Sequence, residues 1–573
     1  MSEKLSLGGY SETVDRTLSN AARNNYAGRI WARDASLWKE DPGHQKIIAN
    51  SLGWLTVAAD MKKNVPELQS FADSVRHKGF TAAFLLGMGG SSLCPDICSE
   101  IFGTRKGYLQ LVVLDTTDPA AILAAENATD LARTLFIVSS KSGGTIESAS
   151  LHKYFYEKLR RLKGNNAGDN FVAITDPGTS LEKLAHDQGF LHVFLNPRDI
   201  GGRYSALSFF GLVPMALIGM DIETILNRAL HMAELCRETR NSAANPGTLL
   251  GAVLGALVLE RRDKVTFAIS PELSAFGYWL EQLIAESTGK EGTGILPVEG
   301  EVLGSPVRYG SDRVFAGMNL AETADSLSES GLGALETAGH PALRYRLQNR
   351  LDIGGEFFRW EFATAVAGAV LKIDPFDQPN VQESKDNTAR LIQQYISTGR
   401  LPEDPPQLSE DPLSLYCKPI RSSTGQDNIP EALSAFLKLV RPHDYVAIMA
   451  YVQRSAGATA SLNLIRGLLR DNLKMATTVG FGPRFLHSTG QLHKGGPNNG
   501  VFLQITCEDK QDLPIPGEQY SFATLKRAQA LGDLQSLIAH GRRVLRVHIR
   551  GEVGEGLERL SRIISGIFAT QAV

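Results

Sequence analysis

The chain has 573 residues, which exceeds one ordinary domain and predicts three or four domains at roughly 150 residues each. Apolar residues make up 43% and charged residues 21%, proportions typical of a globular protein with a large core. The formal net charge of −3 argues against nucleic acid or an acidic membrane as a partner. Five cysteines without a CxxC pair indicate neither a disulfide framework nor a zinc ribbon. The N-terminus lacks an apolar leader core, so we expect a soluble, cytoplasmic protein.

Residues 1–60 carry helical patterns without recognisable chemistry, and the pattern changes in residues 61–224. There, short β-rich runs alternate with amphipathic helices, and a turn or a glycine follows nearly every run. The five predicted strands cover residues 82–86, 111–114, 135–138, 171–174 and 193–195. This alternation predicts a doubly wound parallel sheet, in which ligands bind beyond the carboxyl ends of the strands.

The rest of the chain predicts two further α/β units joined by a linker. Residues 225–400 contain strand-like runs at 265–269 and 314–318 among long apolar helices. Six prolines in residues 401–432 predict a linker or an extended surface strap. Residues 433–573 again alternate strand-like and helical runs, which predicts a third, C-terminal α/β unit.

Two glycine-rich loops are predicted at strand ends, GMGGSS at residues 87–92 and SSKSGGT at residues 139–145. Glycine lets backbone N–H groups approach a ligand, and a helix N-terminus attracts an anion. The second loop adds hydroxyls and lacks the GxxxxGK[ST] spacing of a nucleotide P-loop, so it favours a phosphate monoester. The alternative is a helix cap, with Ser142 or Thr145 capping and Glu147 in the first turn.

Arg203 follows two glycines and precedes an apolar helix. An arginine placed in this way is a candidate ligand for an anion or an oxyanion, and a surface salt bridge is the alternative.

Five segments together resemble a known family. GMGGSSL, SSKSGGTIES, GGRYSALSFFG, EQLIAESTGK and DPFDQPNVQESK occur in the order found in glucose-6-phosphate isomerases, which are built from two sugar-isomerase domains. The C-terminal third, with its HSTGQLHKGG stretch, resembles the isomerase half of fused transaldolase–glucose-6-phosphate isomerases. The resemblance implies a sugar-phosphate substrate, a homodimer, association with a transaldolase, and neither a cofactor nor a metal.

The resemblance also implies which residues bind the substrate. Ser140, Ser142 and Thr145 match the positions that hold the sugar phosphate, with Lys141 beside them. Gly90 and Ser91 match positions that line the substrate site, and Gln378 and Lys385 match late substrate-contacting positions.

The proton-transfer chemistry is implied in the same way. Glu286 matches the catalytic base, for which an ordinary exposed helix carboxylate is the alternative. Arg203 matches the group that stabilises the negatively charged intermediate, and Lys385 is placed to assist ring opening.

The ring-opening histidine is where the sequence departs from the family pattern. The family places it between the glutamate and the FDQ segment and supplies it from a neighbouring subunit. Here that interval contains only His340, without the matching surroundings. A similar stretch comes after Lys385, and within it we favour His493, with His487 as second choice.

The leading hypothesis is the reversible isomerisation of glucose 6-phosphate and fructose 6-phosphate by ring opening and proton transfer through a cis-enediol. Two alternatives remain at this point. One is a dual-specificity phosphoglucose/phosphomannose isomerase, and the other is a non-catalytic regulatory protein that senses sugar phosphates.

Overall fold

A computed structural model describes residues 2–322, 326–416 and 428–571. Cys417 and the rest of residues 417–427, within the predicted linker, lie outside the described residues. Across the part that is described, no helix combines the length and the apolar character needed to cross a membrane.

The N-terminal residues form one strand and five helices: β1 (Ser2–Ser6), α1 (Ser11–Arg23), α2 (Tyr26–Trp31), α3 (Pro42–Ala49), α4 (Trp54–Lys62) and α5 (Val65–His77). The first sheet and its helices follow: β2 (Ala82–Leu86), α6 (Leu93–Phe102), β3 (Gln110–Leu114), α7 (Pro119–Asn127), β4 (Thr134–Ser139), α8 (Ile146–Lys163), β5 (Phe171–Thr175), α9 (Ser180–Asp187), β6 (His192–Leu195) and α10 (Phe209–Leu217).

The elements of the middle segment are α11 (Ile222–Leu235), α12 (Pro246–Leu259), β7 (Lys264–Ile269), α13 (Phe276–Thr288), β8 (Leu296–Val298), β9 (Arg313–Leu320), α14 (Ser326–Thr337), β10 (Ala342–Leu347), α15 (Ile353–Leu371) and α16 (Pro379–Thr398). The C-terminal elements are β11 (Leu408–Glu410), β12 (Leu413–Tyr416), α17 (Ile429–Leu437), β13 (Tyr445–Tyr451), α18 (Ala456–Leu473), β14 (Ala476–Phe481), α19 (Gly490–Gly495), β15 (Gly500–Cys507), α20 (Phe522–Ala539), β16 (Arg543–Ile549) and α21 (Val553–Gln571).

The first sheet has the strand order β3-β2-β4-β5-β6 and is parallel throughout. Every residue of β2, β4 and β5 is buried, because helices cover both faces of the sheet. The register pairs Leu86 at the end of β2 with Val138 near the end of β4. The two glycine-rich loops therefore leave the sheet side by side.

The other two sheets are also mostly parallel, which confirms the predicted α/β class. The second has the order β1-β10-β9-β7-β8, with β1 alone antiparallel to its neighbour. The third has the order β11-β12-β16-β15-β13-β14. Its antiparallel edge, β11 and β12, comes from the proline-rich segment that the sequence predicted as a linker, so part of that segment extends the third sheet instead.

Candidate active site

The loop at residues 139–145 joins β4 to α8 and is built as a hydroxyl-rich turn. Ser140 and Thr145 share a hydrogen bond of 2.9 Å between their hydroxyls, and the Gly144 N–H donates to Ser142 Oγ at 3.3 Å. Thr145 is the N-cap residue of α8, but its side chain makes no capping bond. The alternative of a side-chain cap on α8 is therefore not observed, and the first turn of α8 keeps N–H groups that no helical carbonyl accepts.

One glycine in each of the two loops allows a close approach to a neighbouring segment. Gly143 has a φ of +68°, and a Cβ there would lie 2.8 Å from the Cβ of Thr179. A Cβ on Gly90 would lie 2.0 Å from the carbonyl oxygen of Gly202. Since real Cβ atoms do not approach so closely, glycine at position 90 brings the 87–92 loop against the loop that carries Arg203.

Arg203 and Glu286 form a buried ion pair, with 3.4 Å between Arg203 Nη1 and Glu286 Oε1. The side chain of Arg203 is only 2% exposed and that of Glu286 only 10%. Arg203 also donates from Nε to Ser287 Oγ at 2.6 Å and from Nη1 to Gln378 Oε1 at 2.9 Å. These fixed contacts hold one guanidinium edge beside the carboxylate, and they join α13 to the start of α16.

The Asp374–Gln378 segment is held by two cations. Arg203 Nη2 donates to the carbonyls of Pro375 and Asp377 at 2.7 and 2.9 Å. Lys290 Nζ donates to the Asp374 carbonyl and to Asp377 Oδ1, both at 2.6 Å. Burial, with a contribution from Arg203, lowers the pKa of Lys290 to about 8.

One cluster of side chains has the residue types and the spacing of a candidate metal site, for which the sequence predicts no metal. Ligand atoms of His44, Asp374 and Asp377 lie within 4.8 Å of one another among the described residues. The Lys290 ammonium is already bonded to Asp377 there, so a side chain supplies positive charge to these carboxylates.

A second pair joins the first domain to the C-terminal unit. His487, in the turn after β14, places its Nε2 atom 3.0 Å from Oε1 of Glu147 in the first turn of α8. Burial alone would raise the pKa of Glu147, but the neighbouring His487 holds it below its ordinary value. The carboxylate is therefore stabilised in its charged form, facing the imidazole.

Gln282 connects the two pairs. Its Nε2 atom donates to Glu286 Oε2 at 3.0 Å and to the His487 carbonyl at 2.7 Å. Gln282 lies one turn before Glu286 on α13, so both side chains emerge from the same helix face. The 87–92 loop closes over this bridge, because a Cβ on Gly89 would meet Gln282 Nε2 at 2.8 Å and His487 Cβ at 2.9 Å.

A cavity of about 600 Å³ opens beside the His487–Glu147 pair, between α8, α16 and the C-terminal unit. Its wall includes Ser142, Thr145, Glu147, Lys385 and His487. The hydroxyls and the first turn of α8, the Lys385 amine and the His487–Glu147 pair therefore line one common cavity. This arrangement can anchor a phosphate and exchange protons with the molecule that carries it.

Residues 49–311 match the family model described as phosphoglucose isomerase. This part of the chain is similar to phosphoglucose isomerases. A probable glucose-6-phosphate isomerase of Methanococcus maripaludis is 27% identical over 378 residues, covering 60% of this chain and 84% of that protein. A glucose-6-phosphate isomerase of Prochlorococcus marinus is 31% identical over 290 residues, covering 48% of this chain and 51% of that protein.

The chain thus spans about half the length of the Prochlorococcus relative. Among solved structures, a hypothetical protein from Thermus thermophilus aligns with a TM-score of 0.57 at 23% identity, covering 68% of this chain and 99% of that one. At this level of identity the likeness shows the fold alone.

The structure brings together most of the residues that the resemblance to glucose-6-phosphate isomerases predicted. Gly90, Ser91, Ser140, Ser142 and Thr145 lie in the two adjoining loops at the sheet edge. Arg203 contacts both Glu286 and Gln378, as described above. Lys385, on α16, is exposed and lines the cavity.

Lys141 points elsewhere than the sequence predicted. Its ammonium bonds to Asp176 and donates to the Arg198 carbonyl at 2.9 Å. It lines a neighbouring cavity of about 400 Å³ together with Gly202 and Gln378. Lys141 therefore does not lie among the hydroxyls of the cradle.

The structure does not place His493, the favoured ring-opening histidine, at the cavity. His493 lies in the core of the C-terminal unit, with its ring against Tyr445, Phe485 and Phe502. Neither of its ring nitrogens has a hydrogen-bond partner among the described residues. Burial lowers its pKa well below the ordinary value. The second choice, His487, is the histidine that lines the cavity.

His340 also lies away from the cavity. It packs against Tyr309 and Phe315 and precedes β10, at the amino end of that parallel strand. Ligand sites in such sheets lie at the opposite, carboxyl ends.

Sequence reasoning missed Glu147, Gln282 and Lys290 as parts of the site. Glu147 enters the sequence analysis only as a first-turn residue of the alternative helix cap, although its place after the cradle directs it toward the ligand end of α8. Gln282 lies one turn before the predicted base, a spacing that could have identified it. The third missed residue, Lys290, is the last residue of the AESTGK segment.

Proposed function

We propose that the protein interconverts glucose 6-phosphate and fructose 6-phosphate. The observation that carries the proposal is the Gln282 bridge, which links the Arg203–Glu286 pair to the His487–Glu147 pair. A cyclic sugar phosphate needs one group to open the ring and another to move a carbon-bound proton. The two linked pairs have the chemistry for these two tasks.

Ring opening is assigned to His487, with Lys385 assisting. The imidazole passes a proton to the ring oxygen of the sugar, and the Glu147 carboxylate stabilises the charge on the imidazole. Lys385 lines the same cavity and adds a second proton donor beside the hydroxyls of the opened sugar.

Isomerisation is assigned to Glu286 and Arg203. The Glu286 carboxylate takes the C2 proton of the open-chain aldose and returns it to C1, through a cis-enediol intermediate. Negative charge then builds on the sugar oxygens, and the guanidinium of Arg203 stays protonated to stabilise it. Because Arg203 is fixed by five hydrogen-bond and ion-pair contacts, it need not reorganise when the charge appears.

The substrate phosphate is assigned to Ser140, Ser142 and Thr145, with Gly90 and Ser91 along the sugar. Binding energy from the remote phosphate then orients the reacting carbons against Glu286. Gln378, bonded to Arg203, is placed to contact the substrate hydroxyls beside it.

The family pattern takes its ring-opening histidine from a neighbouring subunit, whereas His487 reaches the cavity from the same chain. We therefore infer that a single chain carries every group of the proposed mechanism. A homodimer, association with a transaldolase and a cytoplasmic location stay predictions.

The test is turnover of fructose 6-phosphate by the purified protein and by Glu286→Gln. A positioned base contributes about 10²–10⁴-fold, so the variant should lose at least about a hundredfold in kcat. The matched control, Glu223→Gln on the exposed start of α11, should retain full activity. An inactive wild type, or a fully active Glu286→Gln, would overturn the proposal.

The same preparation separates the alternatives. Turnover of mannose 6-phosphate would identify a dual-specificity isomerase. Saturable binding of fructose 6-phosphate without any turnover would identify a sensor, which has no need of an assembled Glu286, Arg203 and His487 set.

A further inference from the structure

The C-terminal unit contributes a second side chain to the His487–Glu147 pair. Gln529, on α20, donates from Nε2 to Glu147 Oε1 at 2.7 Å. This is the same oxygen that lies 3.0 Å from His487 Nε2. Two donors from the C-terminal unit thus converge on one carboxylate oxygen of the first domain.

The amide of Gln529 is itself held from the other side. Thr117, in the loop between β3 and α7, donates its hydroxyl to Gln529 Oε1 at 2.7 Å. An ionised carboxylate can only accept, so the amide nitrogen must face Glu147 and the amide oxygen must face Thr117. The orientation of the amide is therefore determined by its two partners.

These groups are shielded from water. Thr117, Glu147 and Gln529 are 0%, 3% and 2% exposed, respectively. Hydrogen bonds in such surroundings are electrostatically stronger than in water, and a buried group that loses its partner is costly. Thr117, Gln529, Glu147 and His487 thus form a chain of buried hydrogen bonds. Water cannot readily replace the partners in this chain.

We propose that Gln529 is a positioning residue for ring opening. It fixes the Glu147 carboxylate in the rotamer that accepts from His487 Nε2, which leaves Nδ1 of the imidazole for the ring oxygen of the sugar. The role of His487 rests on the proposed function. The effect of Gln529 on the geometry of the pair does not.

The alternative is that Gln529 only docks α20 on the first domain. That docking has a separate contact, because Lys526, one turn earlier on α20, pairs with Asp118 at 2.8 Å. A variant at position 529 should therefore leave α20 in place while it releases Glu147.

The experiment uses Gln529→Met, which keeps the length of the side chain and removes both hydrogen bonds. The control is Gln535→Met on the same helix, whose amide contacts Arg390 and not the pair. We expect kcat for fructose 6-phosphate to fall about tenfold or more in Gln529→Met and less than about twofold in the control. The dissociation constant for 6-phosphogluconate, an open-chain phosphorylated acid that needs no ring opening, should change less than twofold.

A double-mutant cycle then separates positioning from general damage. In a Glu147→Gln background, Gln529→Met should lower kcat by less than about twofold, because the group through which it acts is already changed. An undiminished loss in that background, or no loss in the wild-type background, would overturn the proposal.

Crystal structures provide a readout that does not depend on turnover. In Gln529→Met the Glu147 carboxylate should move beyond hydrogen-bond distance of His487 Nε2, while Gln535→Met retains the pair. An unmoved pair in Gln529→Met would refute the proposal. If the wild type were inactive on fructose 6-phosphate, the proposed function would fail, and this comparison would still decide the role of Gln529.

Discussion

The Nε2 atom of His487 lies 3.0 Å from Oε1 of Glu147, although 340 residues of chain separate them. The carboxylate belongs to the first turn of α8 beside the phosphate cradle, and the imidazole belongs to the third sheet's β14–α19 connection. The third α/β unit therefore completes a cavity that the first sheet begins.

The two histidines of the 487–496 stretch should respond in opposite ways to substitution. His487→Gln should lower kcat about a hundredfold, since it removes a group that donates and accepts protons. His493→Phe should retain activity, and it should raise the free energy of unfolding by about 1 kcal/mol because it removes unsatisfied buried nitrogens. Steady-state kinetics and urea unfolding of both variants check this. Loss of activity in His493→Phe with a fully active His487→Gln would contradict the assignment.

Arg203→Lys should damage turnover more than binding. Lysine keeps the charge but loses the fork that contacts Ser287 and the two carbonyls of the Asp374–Gln378 segment. We expect kcat to fall by about 10²–10³-fold, the usual effect of removing one preorganised charge-stabilising donor. An unchanged kcat with a raised KM for fructose 6-phosphate would show that Arg203 binds the substrate without stabilising the intermediate.

Thr145→Val should weaken the phosphate site with little change in shape. One hydroxyl donor to a charged group is worth about 1.5–3 kcal/mol, so KM should rise about tenfold to a hundredfold. Competitive inhibition by inorganic phosphate should weaken in parallel. Thr129→Val, on the same domain but away from the cradle, is the control and should leave both constants unchanged. If Thr129→Val changed KM and phosphate inhibition to the same extent, Thr145 could not be assigned to phosphate binding.

The pH dependence of stability should report the His487–Glu147 pair. The pKa of Glu147 is lower in the folded protein than its ordinary value of 4.5. Its charged form therefore contributes stability that is fully present above about pH 4.5 and is lost as the pH falls through the lower, folded-state value. The difference in unfolding free energy between the wild type and Glu147→Gln should shrink over that interval in urea titrations. A difference that grows toward low pH would contradict the sign of the shift.

The sequence was most informative about the first sheet. All five predicted strands of residues 82–195 are present, because β2, β4 and β5 are continuous buried apolar runs followed by turn residues. Several strands outside the first sheet were missed. β1 is mostly polar, β10 places arginines among apolar residues, and β11 and β12 lie in a proline-rich segment that locally predicts a linker.

The candidate site also contains residues that the sequence could identify and residues that it could not. Residues within a single motif, such as Ser140, Thr145 and Glu286, could be identified from local patterns and the family resemblance. Contacts between distant segments could not. Gln529 carries no local signal, since its partner Glu147 is 382 residues away. His493 has the better motif context, yet the packing of Tyr445 and Phe502 holds it in the core.

The most direct test of the central claim, that Glu286 moves a proton between sugar carbons, is isomerisation of fructose 6-phosphate in D₂O followed by NMR of the product. The wild type should incorporate deuterium at C2 of glucose 6-phosphate, because the carboxylate exchanges its proton with solvent during some turnovers. Glu286→Gln should show no incorporation while it still binds 6-phosphogluconate. Incorporation at the wild-type rate in Glu286→Gln would contradict the account.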